Sequence, residues 1–266
     1  AHLATDEGEG RLSPYEAGAA SDPPRAICCR PAPPIIEFDQ DGNIVRAWGG
    51  PGDGYQWPTG IHGLTVDSQG NIWIGGTVQP DAQVLKFTPE GRFLLQIGRS
   101  GESKGNSDTA NLGQPSDLAV DTASQEVWVS DGYGNRRVIV YDSETGAYKR
   151  HFGAYGNPPL DVPAVPFTPG RGEPPPQFNL VHCVVISNDG LVYVCDRVYD
   201  RIQVFQKDGT FVKEKIINPD VVGSVANDIA FSPDPEQRFM YVTDHTSSKV
   251  WILQRDTMEV VGSFGY

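Results

Sequence analysis

Four stretches of this sequence can be laid under one another strand for strand, and that internal repetition limits the possible folds more than any single motif does. Their first strands read His62-Gly-Leu-Thr-Val-Asp67, Ser116-Asp-Leu-Ala-Val-Asp121, His182-Cys-Val-Val-Ile-Ser187 and Asn227-Asp-Ile-Ala-Phe-Ser232, each alternating in polarity and closing on Asp or Ser. A second β-rich run follows in each unit, at 71–76, 126–131, 191–196 and 240–244, then a third at 83–87, 137–141, 201–205 and 249–253. A fourth closes each unit at 92–98, 148–153, 211–216 and 259–265. Between strands stand Ser68 to Asn71, Ser187 to Gly190 and Lys207 to Thr210, whose Gly and Asn residues supply the positive φ of tight hairpins. Four short strands per unit, with almost no helical period, is the pattern of β-propeller blades, and the fold class is all-β.

The whole blades are expected at about 61–98, 115–153, 180–218 and 225–265. Upstream, Pro34 to Phe38 and Asn43 to Trp48 read as the third and fourth strands of an earlier blade, because Asp41-Gly42-Asn43 stands where Asp208-Gly209 stands later. Residues 1–33, rich in Gly, Pro, Ala and acidic side chains, read as an irregular segment ahead of the propeller at 34–266. The sequence thus holds one half blade and four whole ones, and strands from partner chains or a compact five-unit ring are both conceivable. Open blade edges make self-association conceivable. Insertions at 99–114 and 154–179, the latter carrying Pro174-Pro175-Pro176, interrupt the repeat. They read either as walls of a pocket on a propeller face or as stiffened surface loops.

A chain of 266 residues can bury a large core, and one domain is the expectation. With 34 acidic against 21 basic residues the net charge is −13, which argues against a nucleic acid or an anionic membrane as partner. No run reaches the roughly 18 consecutive apolar residues of a membrane helix. The sequence starts at Ala1 rather than Met, which fits a processed terminus, and a secreted or periplasmic setting is favoured while the compartment stays open. Four cysteines are too few for a disulfide scaffold. Cys28 and Cys29 are adjacent, whereas Cys183 and Cys195 fall on neighbouring strands of one hairpin. Free buried thiols are the expectation for that pair, with a cross-strand bond as the alternative.

In a propeller the first strand of each blade lines the central channel, so equivalent positions on those strands point at one another. His62 and His182 share one register in blades two apart, with Ser116 and Asn227 at that register in the intervening blades. In a six-bladed ring alternate blades are a third of a turn apart, the geometry of a three-histidine tripod. Imidazole suits zinc, and catalytic zinc takes three protein ligands and one open position. The plainer reading is two satisfied polar residues of a channel.

Six segments carry a resemblance: Ile61 to Asp67, Ile97 to Ser100, Gln114 to Asp121, Val129 to Arg136, Val181-His182, and Asp196-Arg197 through Asp200 to Gln203. They resemble peptidyl-α-hydroxyglycine α-amidating lyase, a six-bladed propeller of NHL repeats, and still more its bacterial NHL-repeat relatives. The likeness covers roughly residues 34–265, and its His-Gly-Leu and Ser-Asp-Gly-Tyr pieces are more specific than general blade residues. What it implies is zinc on three histidines, two of them matching His62 and His182. It also implies a tyrosine matching Tyr133 as base on the substrate hydroxyl, an arginine matching Arg197 for the substrate carboxylate, and a structural calcium held in part by the carbonyl matching that of Leu64. The third histidine and a further arginine belong to strands this sequence does not contain. His245 could reach the same mouth, although a surface turn suits it better. For Tyr133 the plainer reading is a tyrosine in a Gly-flanked turn, and for Arg197 an ion pair with Asp196 or Asp200.

The leading expectation is therefore a lyase-like propeller acting on a small-molecule or peptide substrate with zinc, and with calcium in the channel. Two alternatives stay open: a non-catalytic module that binds a protein or peptide, and a metal-dependent hydrolase or lactonase.

Overall fold

The computed structural model describes residues 32–168, 171–219, 221 and 223–266. The irregular segment expected over 1–33, with Cys28 and Cys29, therefore lies almost wholly outside the described residues. Strands β1 (Ile35–Phe38) and β2 (Ile44–Trp48) form a two-stranded sheet. Four antiparallel four-stranded meanders follow: β3 to β6 (Ile61–Val66, Ile72–Gly76, Gln83–Phe87, Phe93–Gly98), β7 to β10 (Asp117–Asp121, Glu126–Asp131, Arg137–Asp142, Tyr148–Phe152), β11 to β14 (Val181–Ile186, Val192–Asp196, Arg201–Phe205, Phe211–Ile216) and β15 to β18 (Ile229–Phe231, Phe239–Asp244, Lys249–Gln254, Glu259–Gly265). These are propeller blades, and the half blade precedes them where the repeat placed it.

Alternation explains the packing, since each sheet presents apolar side chains on both faces to the sheets beside it. Ile35 of the half blade meets Ile74, Leu85 and Phe87. Trp73 and Val84 pack on Val127 and Val129, Trp128 and Val140 pack on Val184 and Val194, and Ile202 and Val204 pack on Met240 and Val242. The Asp or Ser that closes each first strand ties off the hairpin turn. Asp67 accepts from the amides of Gln69 and Asn71, and the Ser187 and Ser232 hydroxyls accept from those of Leu191 and Phe239. Gly70 in the first of these turns has φ +86°, which a side chain would resist.

The two insertions are held by one device used twice. Arg137 and Arg201, fully buried at the start of β9 and β13, pair with Asp131 and Asp196 at the ends of β8 and β12, at 2.9 and 3.0 Å. Arg137 also donates from Nη1 and Nη2 to the carbonyls of Asn106, Asp108 and Asn111 in the first insertion. Arg201 also donates to the Tyr155 hydroxyl and the Gln177 carbonyl in the second. Both insertions are thus anchored in the core, which a stiffened surface loop would not need.

One expectation is corrected. Cys183 and Cys195 are not free thiols: they form a disulfide between β11 and β12, with Cα atoms 4.9 Å apart. They are directly opposed in the strand register, which puts the two sulfurs within bonding reach.

Candidate functional site

The strands that carry the histidines differ from those between them. Pairing between β3 and β4 slips between Ile61 and Leu64, and pairing between β11 and β12 slips between Val181 and Cys183, so each histidine sits in a bulge. The first strands β7 and β15 pair with their neighbours without a shift. A bulge re-aims a side chain, and here it turns two imidazoles toward each other, with ring centroids 5.0 Å apart and planes at 83°.

Each ring leans on the backbone of the next blade. His62 Nδ1 lies 2.8 Å from the Ser116 carbonyl, and His182 Nδ1 lies 2.7 Å from the Asn227 carbonyl. A carbonyl only accepts, so both Nδ1 atoms carry hydrogen and the lone pairs stand on Nε2. Burial pushes the His182 pKa down to about 4, against the opposing pull of the Asn227 carbonyl, and this keeps the ring neutral at neutral pH. Gly63 lets the neighbouring strand come this close: a Cβ there would sit 2.7 Å from the Ser116 oxygen. A Cβ on Gly132 would collide with the Val181 backbone, on the strand bearing His182.

Tyr133 and Arg197 join the pair from the loops after β8 and β12. The Tyr133 hydroxyl donates to His62 Nε2 at 3.3 Å and accepts from Arg197 Nη1 at 3.0 Å, while Arg197 Nε donates to Ser224 Oγ at 3.0 Å. The ion pair offered for Arg197 does not form. Asp196 is paired with Arg201, and Asp200 accepts from the Val225 amide. Among the described residues no carboxylate lies within salt-bridge distance of Arg197. His245 stays outside the cluster, exposed in a turn where its amide donates to the Ser224 carbonyl.

The two rings line a cavity of about 180 Å³ whose other lining residues include Leu64, Asp117 and Asp228. Burial, with the Asp228 carboxylate nearby, pushes Asp117 up to about 7, and burial also raises Asp228. These carboxylates were not picked out from sequence, although each follows the very residue, Ser116 or Asn227, that marked the histidine register. The supporting carbonyls carry no sequence signal, because every residue has one.

The donor set can be tested against zinc. Two imidazoles with Nδ1 fixed by backbone carbonyls are the right kind of ligand, held as metal-bound histidines are held. They are one short in number: among the described residues no three His, Cys, Asp or Glu side chains converge as a metal site.

The fold and these groups define a β-propeller in which two histidines, a tyrosine and an arginine from three blades meet. Comparison with known proteins gives that class its relatives. The chain is 34% identical over 156 residues to peptidyl-glycine alpha-amidating monooxygenase B of Xenopus laevis, a match covering 58% of this chain and 16% of that protein. It is 33% identical over 103 residues to peptidyl-alpha-hydroxyglycine alpha-amidating lyase 2 of Drosophila melanogaster (38% of this chain, 23% of that one), and 27% identical over 180 residues to human NHL repeat-containing protein 3 (66% and 46%). It therefore spans about a sixth of the length of the first of these and under half of the others. Among solved structures a streptogramin B lyase superposes with a TM-score of 0.52 at 14% identity, covering 78% of this chain and 55% of that one, a likeness of fold alone. No protein-family model matches. The chain is a β-propeller related to peptidylglycine amidating enzymes and to NHL-repeat proteins.

Proposed function

We propose that this propeller is an amidating-type lyase, cleaving a peptidyl-α-hydroxyglycine-type substrate to an amide and glyoxylate at His62, Tyr133, His182 and Arg197. The observation that carries the reading is the hydrogen-bonded run Arg197–Tyr133–His62 beside a second neutral imidazole. Arg197, which has no acidic partner among the described residues, offers a planar fork to the substrate carboxylate. Tyr133, next to it and acting as its phenolate, takes the proton of the substrate hydroxyl. The C–O bond then becomes a carbonyl as the carbon–nitrogen bond breaks, and the proton returns to the leaving nitrogen, so atoms and charge balance. His62, oriented by Ser116, holds the Tyr133 hydroxyl through Nε2, a contact that zinc taken up on that nitrogen would replace.

Zinc is the ion suited to His62 and His182, given a third donor from outside the described residues, and when bound it would supply a positive charge that favours ionisation of the substrate hydroxyl. A calcium is proposed near Leu64, in the cavity it shares with Asp117 and Asp228, oxygen ligands of the kind calcium takes. A secreted or periplasmic setting is proposed as well, supported by the Cys183–Cys195 disulfide.

The test is glyoxylate release from an α-hydroxyglycine peptide, with and without added zinc. Release that falls about 100-fold or more in Tyr133→Phe is expected. A folded, zinc-supplied protein that releases none leaves the second reading, a peptide-binding module. That reading draws on the likeness to NHL repeat-containing protein 3.

A further inference from the structure

Buried carboxylates grip the chain just ahead of both histidines. Asp196, at the end of β12, accepts from the amides of Asn179 and Leu180, both at 3.0 Å, just before Val181 and His182. Asp81 accepts from those of Thr59 and Gly60, at 2.7 and 3.1 Å, just before Ile61 and His62. Asp81 comes from the turn ahead of β5 and fills the place of the side chain that Gly76 lacks at the end of β4. In the last sheet the matching residue, Asp244, is committed elsewhere, to the Ser247 amide and Trp251 Nε1. The approach to β15 is held instead from the neighbouring sheet, where Asp200 Oδ1 accepts from the Val225 amide at 3.0 Å.

Asp200 is fully buried and stands three residues after Arg197, at the end of the turn that carries it. The segment it grips serves two functional side chains at once. Ser224 Oγ accepts from Arg197 Nε at 3.0 Å, and the Asn227 carbonyl accepts from His182 Nδ1 at 2.7 Å. Asn227 Nδ2 donates back to the Ser224 carbonyl at 2.6 Å, which joins the two ends of the segment into one unit. The last sheet fastens the same unit from behind, with Thr246 Oγ1 on the Ser224 amide and the Thr243 carbonyl on the Asn227 amide. We propose that Asp200 is a positioning residue: by seating residues 224–227 against the turn that carries Arg197, it orients both the Arg197 guanidinium and the His182 ring. The orientation stands on these contacts, and its use in catalysis rests on the lyase proposed above.

The test follows, by NMR, the exchange with solvent of the hydrogens on Arg197 Nε, His182 Nδ1 and His62 Nδ1 in the wild type, Asp200→Gly and Asp200→Asn. Asp200 has φ +53°, a conformation that Gly and Asn both adopt, so either variant keeps the turn. Gly removes the acceptor and Asn retains one. In Asp200→Gly the Arg197 and His182 hydrogens should exchange about 10-fold faster, the scale of one lost hydrogen bond. His62, held by Ser116, should keep its rate, and Asp200→Asn should restore the other two. An unchanged His182 rate in Asp200→Gly, an equal rise at His62, or no restoration in Asp200→Asn overturns the proposal. If Asp200→Gly does not fold, Asp200→Ser, whose side chain is one atom too short for the Val225 amide, decides on the same terms. A wild type that releases no glyoxylate removes the lyase reading and leaves Asp200 to be judged by these rates alone.

Discussion

Sheets β11–β14 and β15–β18 share one strand plan and end up in different surroundings. In the first, both inner strands β12 and β13 are buried at every residue, because sheets pack on either side. In the second, β16 and β17 are only partly buried and β18 is largely exposed, with its packing cluster on the β11–β14 side. The same position also carries different chemistry. Asp196 pairs with Arg201, which reaches on to Tyr155 and Gln177. Asp244 faces Lys249 in register but takes the Ser247 amide and Trp251 Nε1 instead, and Lys249 lies over the Trp251 ring at 5.4 Å. Repetition sets the strands, neighbouring sheets set the burial, and one side chain decides whether a connection is anchored.

The sharpest way to break this contrast is to remove the cation from each sheet. Arg201→Met leaves Asp196 buried without its partner and should cost about 3–5 kcal/mol in urea unfolding, whereas Lys249→Met should stay within about 1 kcal/mol. Equal costs would mean that the clamp is not what distinguishes the two sheets. Next in size, Cys183→Ala/Cys195→Ala should lower stability by about 2–4 kcal/mol, with the loss confined to oxidising conditions, because the bond is already absent from the reduced wild type.

Acid should separate the sheets as well. The His182 pKa is depressed to about 4 by burial, so the unfolded chain binds the proton first. The stability linked to this neutral ring is fully present above the ordinary histidine pKa, about 6.5, and is lost as pH falls toward 4, of the order of 3 kcal/mol in all. Subtracting the pH profile of His182→Asn should expose that limb, and an unchanged difference between pH 7 and 4 would contradict the burial. Smallest is Gly63→Ala, at about 1–3 kcal/mol, since the new methyl must push back the Ser116 carbonyl. Its more telling effect would be a shifted His62 ring resonance while His182 stays put.

Much of this was legible in the sequence. Alternation and Gly-bearing turns placed the strands to within a residue or two, apart from β15, which is shorter than the Asn227 to Ser232 run suggested. Register alone put His62 opposite His182, and the His-Gly-Leu and Ser-Asp-Gly-Tyr pieces marked Gly63 and Gly132, whose missing side chains let blades approach. The bulges were not legible, because a slip in pairing belongs to two strands at once. Nor were the carbonyls of Ser116 and Asn227, which no side-chain pattern announces. The clamps did leave a trace: Asp131 with Arg137 and Asp196 with Arg201 recur at nearly one spacing, each in a blade whose first strand follows a long insertion.

The way each imidazole leans forward onto the next repeat has a mechanical consequence. His182 takes its orientation from Asn227, a residue just ahead of the last sheet, which contributes none of the four proposed functional side chains. If that sheet frays away while the other three hold, His182 loses the acceptor that fixes its tautomer and its ring is released to rotate. Occupancy of the channel by any imidazole-seeking probe would then serve as a gauge of how firmly the terminal repeat is docked, and a ligand drawn to both rings would in turn brace a sheet it never touches.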